Sequence, residues 1–308
     1  MKTYTLCCLI PVLIAVNGFG QNPNSIFLNA DIAGDQKLAA QGNIAALTRL
    51  GFRHLTGSAG TVDGVQAYNY LAQAAQQWPA ASALLGYAAV IRPELAGKNI
   101  NGVNLIIQAS NAGDPVGMTL LGRLYHLGRG VPQNTATARQ LYNHAAPNFA
   151  LASTFLGETY LQSANSADHA SAVLPFLNAA MAGETLSMAE LALMYVRGDG
   201  VKQNYLNAAQ WLEKAAQLGD PIAAYQRGLM YFKGQGSQKS QSEAVFLYRR
   251  AALAGYSPAQ AELGVCFAKG RGVAKDLSQA LYWLSLAAPT SPYAAEELAL
   301  LRQGAYND

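Results

Sequence analysis

The chain has 308 residues, 51% of them apolar and only 13% charged, with a net charge of +3. That balance excludes intrinsic disorder, which needs a charge-rich and apolar-poor chain. Both signs are mixed along the chain without a Lys/Arg run, so no nucleic-acid partner is expected.

Residues 1–20 read as a signal peptide. Lys2 precedes an apolar stretch from Thr5 to Val16, and the small residues Gly18 and Gly20 suit cleavage before Gln21. The stretch is too short to span a bilayer, which needs about 20 apolar residues. The alternative is a short N-terminal anchor. A periplasmic or secreted protein without stable membrane insertion is therefore expected. Cys7 and Cys8 fall inside this segment, which leaves Cys266 as the single mature thiol and no intramolecular disulfide.

Residues 21–43 read as an N-terminal capping segment. From residue 44 a period of about 36 residues takes over. A small residue, usually preceded by Leu, recurs at Gly51, Gly86, Gly122, Gly157, Ala192, Gly228 and Gly264. An aromatic follows three residues on in the last five units: Tyr125, Tyr160, Tyr195, Tyr231 and Phe267. Next comes a glycine turn, as in Gly128-Arg129-Gly130-Val131, Gly198-Asp199-Gly200-Val201 and Gly270-Arg271-Gly272-Val273. A second apolar run then ends in an Ala pair such as Ala215-Ala216, followed by a break such as Gly219-Asp220-Pro221. Glycine past a helix end and proline at a helix start are stop and start signals. Each unit therefore reads as helix A, turn, helix B, turn.

A glycine inside a helix costs about 0.5–1 kcal/mol relative to alanine. Its recurrence implies that helix B crosses helix A there, with the Ala pair facing it. The repeated aromatic and the Trp or Tyr of helix B are expected around the crossing. Units one, two and four depart from the pattern. Unit one has a longer turn from Gly57 to Gly64, and unit two has Ile91-Arg92-Pro93-Glu94. Unit four places Gln162 to Ser166 at the turn and Pro175 in helix B. Residues 292–308 read as a closing helix and tail, with Glu296, Glu297 and Arg302 toward solvent.

The pattern resembles the Sel1-like repeat, a relative of the tetratricopeptide repeat. Unit five carries it in Leu191-Ala192-Leu193-Met194-Tyr195, Gly198-Asp199-Gly200-Val201, Ala208, Trp211, Lys214-Ala215-Ala216 and Gly219. The resemblance spans residues 44–291. It implies an all-α, right-handed solenoid of about seven helix-turn-helix repeats with capping helices at both ends. It also implies a non-enzymatic scaffold or adaptor that binds a protein partner.

No catalytic motif stands out, and no cofactor is expected. His54, His126, His144 and His169 lack metal-ligand spacing. No serine has a lysine three residues on, and the glycine turns follow helices rather than strands. Cys266 aligns with Leu124, Met194 and Met230, so it reads as a buried inert thiol. Some exported Sel1-like proteins carry a cysteine pair in each repeat, a branch associated with β-lactam chemistry; this chain lacks those cysteines.

A repeat protein offers one extended binding face, lined mainly by helix A. Positions two before, one after and five after the small residue share a helical face. They nominate Leu84, Tyr87, Leu120, Arg123, Phe155 and Glu158 as an apolar groove in units two to four. Glu190, Arg197, Lys233, Glu262 and Lys269 form its charged continuation. The competing reading buries Leu84, Leu120 and Phe155 between neighbouring A helices. Residues 21–184 carry 16 charged side chains and residues 185–308 carry 22, the same asymmetry. The leading expectation is an exported adaptor. The alternatives are an inhibitor or immunity protein against one exported toxin or hydrolase, and a cell-wall or β-lactam-directed enzyme.

Overall fold

The computed structural model describes residues 32–56, 63–91 and 101–306. The signal-peptide reading, residues 21–31 of the capping segment, the unit-one turn at 57–62 and the Arg92-Pro93-Glu94 departure lie outside the described residues. The chain divides into two compact units, Met1–Glu184 and Thr185–Asp308. Among the described residues every long element is a helix.

The first unit opens with α1 (Ile32–Ala40), the expected lone helix before the first pair. Four helix pairs follow: α2 (Ile44–Thr56) with α3 (Gly64–Ala75), and α4 (Pro79–Ile91) with α5 (Gly102–Asn111). Next are α6 (Pro115–Leu127) with α7 (Thr135–Ala145), and α8 (Ala150–Leu161) with α9 (Val173–Met181). The second unit holds α10 (Thr185–Arg197) with α11 (Tyr205–Gln217), α12 (Pro221–Lys233) with α13 (Gln241–Leu253), and α14 (Ser257–Lys269) with α15 (Leu277–Ala287). The closing helix α16 spans Pro292–Arg302. Partners within a pair pack on each other, and each helix B within a unit packs on the next helix A.

Local chemistry sets the ends. Asp114 and Asp220 each accept the backbone N–H three residues on, at 2.8 Å, with proline at the first helical position. Asn134, Asn204, Ser240 and Asp276 cap the helix B starts in the same way. Each also donates its own N–H to the carbonyl of the repeat's aromatic: Tyr125, Tyr195, Tyr231 or Phe267. That bond closes the A-to-B turn. The turn needs left-handed backbone, with Gly128 at φ 64° and Gly130 at φ 70°, where a side chain would be strained. Pro175 of unit four sits in the first turn of α9, where its missing N–H leaves no bond unmade. The chain ahead of it, Ser166–Ala172, winds as a 3-10 helix.

The small residue does mark the crossing of helix B over helix A. A methyl group built on Gly122 would lie 2.7 Å from the Tyr142 ring, and on Gly157 2.8 Å from the Phe176 ring. Gly51 meets Leu71, Gly228 meets Tyr248 and Gly264 meets Leu284, each at 2.7 Å. In unit two the contact is backbone on backbone, since Gly86 would strike the carbonyl of Gly102 at 2.4 Å. The residue facing the glycine therefore stands three places before the Ala pair, which corrects the expected arrangement. The Ala pair begins one turn further along the same side of helix B, and Ala215, Ala216 and Ala251 are fully enclosed. Tyr142 and Tyr248 of helix B stand at their crossings as expected, and Trp211 is half-buried.

Candidate functional site

The nominated apolar groove of units two to four is closed. Leu84, Tyr87, Leu120 and Phe155 are at most 4% exposed and share one core with Ile106, Leu124 and Tyr142. The reason is the stacking of A helices. α4 touches α6, and α6 touches α8, so the column two places before the glycine faces the next helix A. A large apolar side chain there contributes about 1.5–3 kcal/mol by burial. These residues form the floor of the helix A face, and the groove reading for them is corrected to core.

Polar ties link neighbouring helices around that core. Arg123 of α6 pairs with Glu158 of α8 at 2.5 Å, and its guanidinium lies 4.4 Å above the Phe155 ring. His126, one turn further along α6, donates from Nε2 to Gln162 Oε1 at 2.9 Å, while its Nδ1 is buried without a hydrogen bond. Burial and the nearby Arg123 hold this imidazole below its ordinary 6.5, so it is kept neutral. Arg139 of α7 donates to the Thr159 carbonyl at 2.9 Å and stacks 4.1 Å over Tyr160. Arg123 and Glu158 are thus brought together as anticipated, but as a mutual tie. At the start of the unit, buried Asp35 accepts from Arg49 at 2.5 Å and lies 3.4 Å from Arg53.

In the second unit the nominated residues divide. Arg197 and Lys233 are exposed in the last turns of α10 and α12. Glu190 and Glu262 are half-buried. Burial first, and then the Glu297 carboxylate, raises the Glu262 pKa above its usual range. Lys269 reaches Glu297 at 3.5 Å, and the Tyr306 hydroxyl also donates to Glu297. Glu297 is 9% exposed, a correction to its expected solvent position, because the chain after α16 folds Tyr306 onto it. Glu296 and Arg302 are exposed as anticipated. Cys266 is buried, which pushes its thiol up to about 11. Among the described residues no three His, Cys, Asp or Glu side chains gather as a metal site requires.

One residue with chemistry was passed over. Arg227 stands where the other repeats have Leu50, Leu85, Leu121, Leu156, Leu191 and Leu263. A charge in an otherwise all-leucine column was the available signal.

The Sel1 repeat profile matches residues 44–77, 115–146, 185–220, 221–256 and 257–288, more than half of the chain. The chain belongs to the Sel1 repeat family. The two helix pairs outside the match, α4/α5 and α8/α9, are among those whose turns depart from the repeat. The crystal structure of a Sel1 repeat protein from Oxalobacter formigenes is 31% identical, with a TM-score of 0.59 over 71% of this chain and 87% of that one. The crystal structure of c5321, a protective antigen present in uropathogenic Escherichia coli strains displaying an SLR fold, is 28% identical. Its TM-score is 0.59 over 85% of this chain and 56% of that one, so this chain spans little more than half of the antigen. No curated protein matches the sequence.

Proposed function

We propose that this Sel1 repeat chain is exported and works without catalysis, as an adaptor that holds a partner protein against the helix A faces of residues 185–308. Sel1 repeats mediate protein interactions, which gives the class. The observation that carries the placement is the contrast between the two units. At the positions of Glu190 and Glu262 the first unit buries Leu84, Leu120 and Phe155 beside the Arg123–Glu158 pair, and at those of Arg197 and Lys233 it exposes the uncharged Leu127 and Gln162. In the second unit Arg197 and Lys233 stand exposed one repeat apart, with half-buried Glu190 two turns before Arg197 on α10 and half-buried Glu262 two turns before Lys269 on α14. Exposed charges in a regular row suit recognition of a complementary charged surface, which sets register and on-rate. The signal-peptide pattern of residues 1–20 supports export.

The test is a cross-linked pull-down from envelope extract with residues 21–308, beside an R197E/K233E variant of matched circular dichroism. A protein captured by the native bait and lost by the variant is expected. Capture that the variant leaves unchanged overturns the placement, and no specific capture overturns the adaptor reading. Intact mass of the exported protein should begin at Gln21.

A further inference from the structure

Arg227 is 6% exposed in a column where the repeat buries leucine. A lone arginine in such a place is unfavourable unless its donors are used. Its partners come from further departures from the repeat. Nη1 donates to Ser237 Oγ at 3.1 Å, and Ser237 replaces the valine seen at Val131, Val201 and Val273. The guanidinium lies 3.7 Å over the Tyr231 ring. Gly236 presses the turn onto α11, since a methyl group there would meet the Tyr205 carbonyl at 2.2 Å. The arginine is thus held in one orientation by a fixed wall. Nε is buried and makes no hydrogen bond, and Glu213 Oε2 faces it as an ion pair at 3.4 Å, too far to take the hydrogen bond well.

Arg227 lines an open cleft of about 520 Å³ between α11 and the α12–α13 turn. Gln210, Glu213, Lys214 and Gln217 form its α11 side. Arg227 and Lys214 against Glu213 leave one positive charge in excess. A pre-oriented guanidinium edge matches the two oxygens of a carboxylate, and the glutamine amides supply further polar contacts.

We infer that this cleft is a carboxylate-binding site. Arg227 is its anchor, Glu213 a resident counter-ion that competes with the ligand, and the ligand an acidic peptide group or a free organic acid. The site lies off the helix A charge row and does not depend on the adaptor reading.

The experiment is calorimetric titration of residues 21–308 with three probes. These are glutarate, acetyl-Gly-Glu-Gly-amide, and acetyl-triglycine with its free C-terminal carboxylate. They separate a free acid, an acidic side chain and a chain terminus. R227L restores the repeat's own leucine and is expected to fold at least as stably as the native protein. It should weaken the best probe by at least about tenfold, the loss of one charge-assisted contact. E213Q should tighten the same probe several-fold by removing the competitor. Equal affinity in R227L, weaker binding in E213Q, or no binding of any probe at millimolar concentration overturns the assignment.

Discussion

The glycine crossings make the sharpest stability prediction. In G228A the new methyl lies 2.7 Å from Tyr248 Cε1, 2.8 Å from Cδ1 and 3.2 Å from the Ala244 carbonyl. The ring must retreat by roughly 0.8 Å to reach the ~3.5 Å at which carbon atoms attract. Tyr248 is 1% exposed, with the Tyr225 ring 5.7 Å away, so the retreat disturbs packed neighbours. Overpacking of this kind costs about 1–3 kcal/mol, and the gain in helix propensity returns about 0.5–1 kcal/mol. A net loss of about 1–2 kcal/mol is expected. G86A should cost more, above about 3 kcal/mol, because its methyl meets the Gly102 carbonyl and no side chain can yield. Y248L should rescue G228A, since repeat five already carries Ala192 with Leu212 at the equivalent place. Urea unfolding followed by circular dichroism, run as a double-mutant cycle, should give a favourable coupling of at least about 1 kcal/mol. Equal midpoints for G86A and the native protein, or no coupling between Gly228 and Tyr248, would refute the crossing argument.

Three further perturbations probe other parts of the chain. L120E places a carboxylate in a fully enclosed position and should cost more than about 4 kcal/mol, seen as lost helical dichroism rather than lost binding alone. D35A leaves Arg49 and Arg53 without their shared buried counter-ion, and thermal melts should show a loss of about 3–5 kcal/mol. His126 is held neutral in the fold, so the unfolded chain takes up a proton that the folded chain refuses. Its contribution to stability is therefore present above 6.5 and falls away as pH drops below it. H126Q should flatten that part of the stability–pH curve, and an unchanged slope would contradict the assignment.

The repeat period, the paired helices and the crossing glycines were legible because backbone geometry imposes them at every repeat. Burial of the column two before the glycine was not. The same column holds Leu84, Leu120 and Phe155 in one unit and Glu190 and Glu262 in the other, so the register alone does not say which side faces a neighbouring helix. The Arg123–Glu158 tie was readable in principle, as opposite charges in one column of adjacent repeats. Glu297 was not, because α16 ends the period and the Tyr306 contact comes from the tail. Arg227 was visible as a broken leucine column, but its meaning needed Ser237 and Glu213 brought beside it.

The most direct test of the adaptor account is cross-linking of the captured complex with a lysine-reactive reagent, followed by mass spectrometry. Lys233 and Lys269 lie on the helix A faces, whereas Lys202, Lys239 and Lys275 lie in the A-to-B turns. Partner cross-links concentrated on Lys233 and Lys269 are the predicted result. Cross-links confined to Lys202, Lys239 and Lys275 would place the partner on the turns and contradict it.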